Sequence, residues 1–376
     1  MDQHQRFLGV RHFGSLDALR AFSILGVVWY HAPALPLERQ ITTDAGASGV
    51  ALFFVISGFL ITTLLLREEA SRGVVSLRNF YIRRTLRIFP LYYATLLLYL
   101  GIVLVRERQG DGRLNGAGEL FVHNLPYFFT YTSNWFVDQI RTRDGDHRVL
   151  FMFAWSLATE EQFYLMWPTV LRWLRRRWAM AFMLFVLAVD LGASFAFGLM
   201  KLPQNPLERA VKIAQSPSTE IILGVLLALA LNHRATFGRL WSILGRSWSV
   251  PLWAAGALAT AMLPVPAGPG WYTLQAAVFT GLVGSCVIRE DHVLARLFRF
   301  PLLVRIGVVS YGMYLLHMLA VNTVKALVMP RLGITSPWFW SFASMAAAYL
   351  AAEASFFLFE SRILRLKERF SAQRPA

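Results

Sequence analysis

Charge is scarce in this sequence. Only 16% of its 376 residues are Asp, Glu, Lys or Arg, whereas 56% are hydrophobic, and the mean hydropathy is +0.47. A soluble domain of this length needs a charged surface to stay dissolved, so composition excludes one and indicates a membrane protein. Cysteine is nearly absent. Cys286 stands alone inside an apolar run, which excludes an intrachain disulfide and any CxxC metal or redox motif and leaves a packing residue. GxSxG, HExxH, Walker and GxGxxG patterns are missing too, so hydrolase, zincin and nucleotide-motor readings lack support. No Ser/Gly linker or low-complexity tract interrupts the chain. The expectation is a single membrane-embedded domain over residues 1–376, with no appended soluble domain and no bound cofactor or metal.

What is abundant fits a bilayer. Aromatic residues make up 14% of the chain, including 12 Trp and 29 Phe, which suits lipid contact and interfacial belts. The formal net charge of +15 could suggest nucleic acid, but the basic residues sit in short clusters between apolar runs. Topological bias and attraction to anionic membrane lipid explain that pattern better, so no nucleic-acid partner is expected.

A hydrocarbon core about 30 Å thick needs roughly 20 apolar residues as helix. Ten segments qualify as an all-α polytopic array: 16–35, 48–66, 88–105, 150–171, 178–200, 215–232, 249–265, 271–288, 306–328 and 337–360. With both the N- and C-termini cytoplasmic, most basic residues fall on the cytoplasmic side. They include Arg67, Arg72, Arg78, Arg83, Arg84 and Arg87 in one link and Arg172, Arg175, Arg176 and Arg177 in another. A rival reading of the first span is a cleaved signal peptide, opposed by Asp17, Arg20 and the length of the helix. The long 106–149 loop contains an aromatic stretch, 120–136, interrupted by His123, Asn124, Pro126 and Asn134. It reads as a re-entrant or interfacial segment rather than an eleventh span.

Ionisable groups inside a bilayer are costly, so each is a functional candidate. Asp17 and Arg20 sit at i and i+3 and can pair. His31 follows Arg20 by 11 residues, which places it on the same face about 16 Å along the axis, toward the outer surface. The fourth span opens WSLATEEQFY from Trp155 to Tyr164. Glu160 and Tyr164 share a face, and the depth of Glu160 is expected to match that of His31. Glu161 is turned by about 100° from Glu160, so both carboxylates are not expected to face one site. Ser57 precedes Gly58 in the second span, where small residues usually mean close helix packing. Arg84 and Arg87, at i and i+3 on an expected helix start, suit phosphates that forked guanidinium groups grip. Tyr314 and His317 share a face of the ninth span.

Five motifs in order resemble one family. LDALRAFSILGVVWYH, GVALFFVISGFLIT, RRTLRIFPLYY, WSLATEEQFYLMWP and SYGMYLLH together resemble the acyltransferase-3 family of integral membrane acyltransferases, which includes bacterial exopolysaccharide and O-antigen O-acetyltransferases. The resemblance covers nearly the whole chain. It implies transfer of an acyl group, usually acetyl from acetyl-CoA, to a hydroxyl of a sugar or similar acceptor, in the inner membrane of a bacterium. By the same resemblance His31 is the catalytic residue, and Arg20, Arg84 and Arg87 are important for activity.

The physical picture adds detail. Arg84 and Arg87, with Arg20 nearby, hold the CoA phosphates at the cytoplasmic side. His31 acts as general base on the acceptor hydroxyl or, alternatively, forms a covalent acyl-histidine. Glu160 orients His31 or binds acceptor. Asp17, Ser57, Trp155, Glu161, Tyr164, Tyr314 and His317 are candidates for the substrate path. An exported or surface polysaccharide, or its lipid-linked precursor, is the favoured acceptor, and polysaccharide-assembly proteins are possible partners. Two alternatives stay open: a proton-coupled transporter, and an acyltransferase acting on a small-molecule natural product.

Overall fold

The structure, a computed structural model, describes residues 2–34, 38–109, 116–137, 149–200, 206–216, 218–263, 268–368 and 370. Helix is the only regular structure among them. Long apolar runs leave the backbone no polar partner but itself, and the α-helix satisfies every internal N–H and C=O locally. Each expected segment is a helix: α1 Gly14–His31, α2 Glu38–Arg72, α3 Leu77–Arg108, α4 Ala154–Trp173, α5 Arg176–Met200, α6 Thr219–Asn232, α7 Ser249–Met262, α8 Pro269–Ile288, α9 Ser310–Thr323 and α10 Pro337–Ser355.

Among the described residues, six helices are long and apolar enough to cross a membrane, or seven if α6 and Arg234–Leu244, bent by 110°, form one span. The chain is a multi-pass membrane protein. The other three expected spans differ for identifiable reasons. Asp17 and Arg20 make α1 more polar, and α4 carries Glu160, Glu161 and Arg172. At 14 residues α7 reaches only about 21 Å.

One boundary corrects the expectation. Helix α3 starts at Leu77, where the Ser76 hydroxyl accepts a hydrogen bond from the Asn79 amide, rather than near residue 88. Arg84 and Arg87 therefore lie two to three turns inside the helix and not at its start. The 120–136 stretch is not a continuous span. It folds as Ala117–His123, Leu125–Phe129 and Ser133–Phe136, with a left-handed turn at Tyr131, φ 54°. Tyr92 and Tyr93 of α3 donate hydrogen bonds to the Phe128 and Phe129 carbonyls at 2.8 and 2.9 Å, and Gln162 of α4 donates to the Tyr131 carbonyl at 2.8 Å. Residues 138–148 of the same loop lie outside the described residues.

The bundle closes around α2. At its crossing with α6, Gly58 faces the Ile221 carbonyl and Gly224 faces the Val55 carbonyl, so closely that a Cβ on either would overlap backbone. At its crossing with α1, a Cβ on Gly49 would lie 2.6 Å from the Ser23 carbonyl oxygen. Small residues at such crossings let backbones meet where lipid provides no drive for association.

One end of the bundle gathers basic residues. Arg83 pairs with Glu68 at 2.8 Å, Arg176 pairs with Glu69 at 3.1 Å, and Arg172 donates to the Val75 carbonyl at 2.7 Å. Asp2 and Phe370 come to this side: Arg234 pairs with Asp2 at 3.2 Å, and Arg83 donates to the Phe370 carbonyl at 2.7 Å. The opposite end holds His31, with Trp29 against Trp338, Ser341 donating to the Ala32 carbonyl, and Lys325 over the Trp340 ring.

The glycine crossing sets up a stability test. Gly58→Ala and Gly224→Ala should each lower stability by about 1–3 kcal/mol through overpacking, read as the thermal midpoint of the detergent-purified protein. Gly101→Ala, in open space, should leave the midpoint in place or raise it.

Candidate active site

Several of the charged residues expected to serve the chemistry converge on one cavity. Arg20 of α1, Ser57 of α2, Arg84 and Arg87 of α3, Ser156, Glu160, Glu161 and Tyr164 of α4, and Ser310, Tyr311 and Tyr314 of α9 line it, with Val50, Phe53, Phe54, Ile88 and Leu157 as the apolar part. Its volume is about 100 Å³. Five helices contribute, which is why no single motif in the sequence defines it.

Each polar group has a local reason for its position. Because Gly58 lets α2 and α6 touch, Ser57 sits beside a close backbone crossing. Its hydroxyl donates to the Glu160 carboxylate at 2.6 Å. Glu160 also interacts electrostatically with Arg84 and Arg20, and Glu161 with Arg84. Arg20 donates to Asp17 at 3.2 Å, and His12 lies 3.0 Å from the other oxygen of Asp17. The Arg84 guanidinium lies over the Tyr164 ring, 4.9 Å from its centroid. Among the described residues neither Arg84 nor Arg87 makes an ion pair with a carboxylate within 4.0 Å, and Arg20 and Arg87 repel each other. Three guanidinium groups around one small cavity, two of them without a salt-bridge partner, form a receptor for an anion.

Above the arginines the polar line continues along α9. The Tyr314 hydroxyl donates to the Phe153 carbonyl at 2.9 Å and lies 2.6 Å from the Ser156 hydroxyl. The Tyr314 backbone carbonyl is 2.5 Å from His317 Nδ1. The His317 ring packs on His31, with centroids 4.9 Å apart. The arginine cavity is thus joined to His31 through Tyr314 and His317.

Most of the named residues are brought together, with two corrections. Glu160 and Glu161 both line the cavity, although adjacent helical positions point about 100° apart. The cavity is wider than one helical face, and the long glutamate side chains flank it, one toward Ser57 and one toward Arg84. Glu160 also lies level with the arginines rather than with His31. Phe153, at the entry to α4, is the residue that meets the His317 ring, 5.1 Å away, and Glu160 is seven residues, about 10 Å, further along. Opposite charge draws the carboxylate to Arg84 and Arg20.

His31, Asp17, Trp155 and His317 do not line the cavity. Asp17 is buried against Arg20 and His12, and Trp155 stands edge-on to Phe54 at 6.1 Å. Ser156, Ser310 and Tyr311 line the site as well, beyond the expected residues. All three lie inside quoted motifs, and a serine one helical turn before Glu160 was the available signal. One Glu161 oxygen, Oε1, is buried without a hydrogen-bond partner among the described residues, an unmet acceptor in the cavity wall.

Comparison with known proteins follows this geometry. A family model described as an acyltransferase domain, acyltransferase-3, matches residues 13–352. The chain is 26% identical over 370 residues to the peptidoglycan O-acetyltransferase OatA of Listeria monocytogenes, covering 94% of this chain and 56% of that protein. It is 27% identical over 364 residues to a protein of Staphylococcus aureus (strain COL) named "Putative O-acetyltransferase", covering 85% of this chain and 52% of that protein. The chain therefore spans about half the length of the curated relatives it matches. No solved structure matches it.

The Ser57–Glu160 contact can be measured directly. Ser57→Ala should cost about 1–3 kcal/mol of stability, because it leaves a buried carboxylate oxygen unpaired. In a double-mutant cycle on unfolding free energy, Glu160→Met, which removes both carboxylate oxygens, should cost less in the Ser57→Ala background than in the wild type. Additive costs would mean that the two groups are not coupled.

Proposed function

Because the chain belongs to the acyltransferase-3 family, we propose that it is a membrane O-acyltransferase that moves an acyl group, acetyl in the first instance, from acyl-CoA to a hydroxyl of a sugar acceptor. The observation that carries this reading is the convergence of Arg20, Arg84 and Arg87 on one cavity, with no carboxylate among the described residues in ion-pair contact with Arg84 or Arg87. Acyl-CoA presents a diphosphate and a further phosphate at one end and an uncharged thioester at the end of a long arm. Guanidinium groups grip phosphate oxygens in pairs of charge-assisted hydrogen bonds. The rest of the arm is apolar and amide-bearing, in keeping with the mixed lining of Phe53, Phe54, Leu157, Ser156 and Tyr314 on the side of the cavity toward His31.

Donor and chemistry are then separate along the bundle axis. The phosphates sit at the arginines on the cytoplasmic side, among the basic clusters. The thioester reaches past Tyr314 toward His31, about 16 Å from Arg20 along α1. Neutral His31 takes the proton of the acceptor hydroxyl, the oxygen attacks the thioester carbonyl, and the C–S bond breaks. The acceptor approaches from the His31 end. The acceptor class is a sugar hydroxyl of an exported or surface polysaccharide or its lipid-linked precursor. The relative named a peptidoglycan O-acetyltransferase supports including cell-wall glycan in that class. The setting is the cytoplasmic membrane of a bacterium.

Purified protein given acetyl-CoA should release free CoA thiol when a glycan acceptor is supplied. Acceptor movement across vesicles without thiol release would favour a transporter instead, and thiol release with small-molecule alcohols alone would move the acceptor class. His31→Ala should abolish transfer while the protein still inserts and purifies. Retained wild-type turnover in that variant would contradict its role. Arg84→Ala and Arg87→Ala should each raise KM for acetyl-CoA by about 10- to 100-fold, the loss of one charge-assisted contact of about 1.5–3 kcal/mol.

A further inference from the structure

His317 is fully buried on α9, yet only one of its two ring nitrogens is used. Nδ1 lies 2.5 Å from the Tyr314 carbonyl oxygen. A carbonyl can only accept, so Nδ1 carries the proton, and Nε2 of the neutral ring is a bare lone pair. That Nε2 is buried without a hydrogen-bond partner among the described residues. Buried acceptors without partners are few in folded proteins, and each one calls for a reason. A histidine kept only for packing would lose nothing if an apolar ring replaced it.

The surroundings say which group could supply the missing proton. Three rings pack on His317: His31 at 4.9 Å, Phe153 at 5.1 Å and Tyr314 at 5.5 Å. Phe153 has no polar group on its ring. The single hydroxyl proton of Tyr314 goes to the Phe153 carbonyl. Of the three, His31 alone has an N–H to offer. His31 is the last residue of α1 and is half-buried, while burial and the Tyr314 carbonyl hold His317 in place.

We propose that His317 is a positioning residue for His31, an inference that rests on the acyltransferase reading above. Its Nε2 accepts the ring N–H of His31 when substrate is bound. This fixes His31 in the tautomer whose other nitrogen is bare and directed at the acceptor hydroxyl, the arrangement an acidic partner gives a catalytic histidine elsewhere. When His31 takes the hydroxyl proton, the O–acyl bond forms and the C–S bond breaks. The CoA thiolate leaves, and the imidazolium returns that proton to sulfur. His317 gains and loses no proton. It shares the positive charge through its hydrogen bond.

Two substitutions separate the ring nitrogens. His317→Asn places an amide near the position of Nδ1, keeping a donor for the Tyr314 carbonyl and removing Nε2. His317→Gln places an amide near Nε2, keeping an acceptor there. With full-length purified protein, acetyl-CoA and a glycan acceptor, thiol release should show kcat reduced about 10- to 100-fold in His317→Asn, with KM for acetyl-CoA unchanged. His317→Gln should recover most of that loss. Wild-type kcat in His317→Asn would overturn the inference alone, as would a greater loss in His317→Gln than in His317→Asn, which would make the Tyr314 tie the important one. Failure of both variants to yield folded protein would make His317 structural and overturn it too. Absence of thiol release by the wild-type protein would instead overturn the acyltransferase reading, and the inference with it.

Discussion

Charge carried into an apolar bundle must be paired, hydrated or offered to a ligand, and this constraint organises the structure. Ion pairs at the basic end, such as Arg83 with Glu68 and Arg176 with Glu69, meet it with fixed partners. The cavity meets it only in part. Glu160 has Ser57, and Arg20 has Asp17, but Arg84 is held by the face of Tyr164, and Arg87 has no carboxylate in contact among the described residues. Asp17, Glu160 and Glu161 match Arg20, Arg84 and Arg87 in number, so it is the lack of direct contact, not a net charge, that leaves Arg84 and Arg87 open to a ligand. The same constraint explains the glycines of α2. Only where Gly58 lets α2 meet α6 does Ser57 come to stand opposite Glu160.

The helices were legible because their signal is additive. Each apolar run is long, and every segment expected to span is helical. The two helices that fall short on hydropathy grounds, α1 and α4, do so because they carry site residues, so the weakest membrane signals mark the chemistry. Ser76 capping was readable in principle, yet the arginine-rich start of α3 looked like a loop, and the helix was begun three turns late. The breaks in 120–136 were marked by Pro126 and Asn134, whereas the turn at Tyr131 was not, since nothing in a tyrosine announces a left-handed conformation.

The site was less legible than the helices. Motif resemblance gathered Arg20, Arg84, Arg87 and His31, the cost of charge in a bilayer added Glu160, and all of these but His31 share a cavity. Helical periodicity placed Tyr314 beside His317. It failed for Glu160 and Glu161, because a rotation of about 100° separates backbone positions while long side chains converge. Depth also failed for Glu160. Counting residues from an expected helix end carries that end's error into the assignment, and electrostatics then sets the level of the carboxylate. The contact of His31 with His317 joins helices almost three hundred residues apart in sequence and could not be read from either motif alone.

What emerges is a bundle with an anion receptor toward its basic end and an imidazole pair toward the other, joined by Tyr314. The account stands on those two places serving one molecule. A structure of the protein with bound CoA or a non-hydrolysable acyl-CoA tests this most directly. The account predicts phosphate oxygens within hydrogen-bond distance of the Arg84 and Arg87 guanidinium groups and the sulfur end of the arm beyond Tyr314, beside His31. CoA bound outside the five-helix cavity, or bound there with its sulfur end directed away from His31, would contradict it.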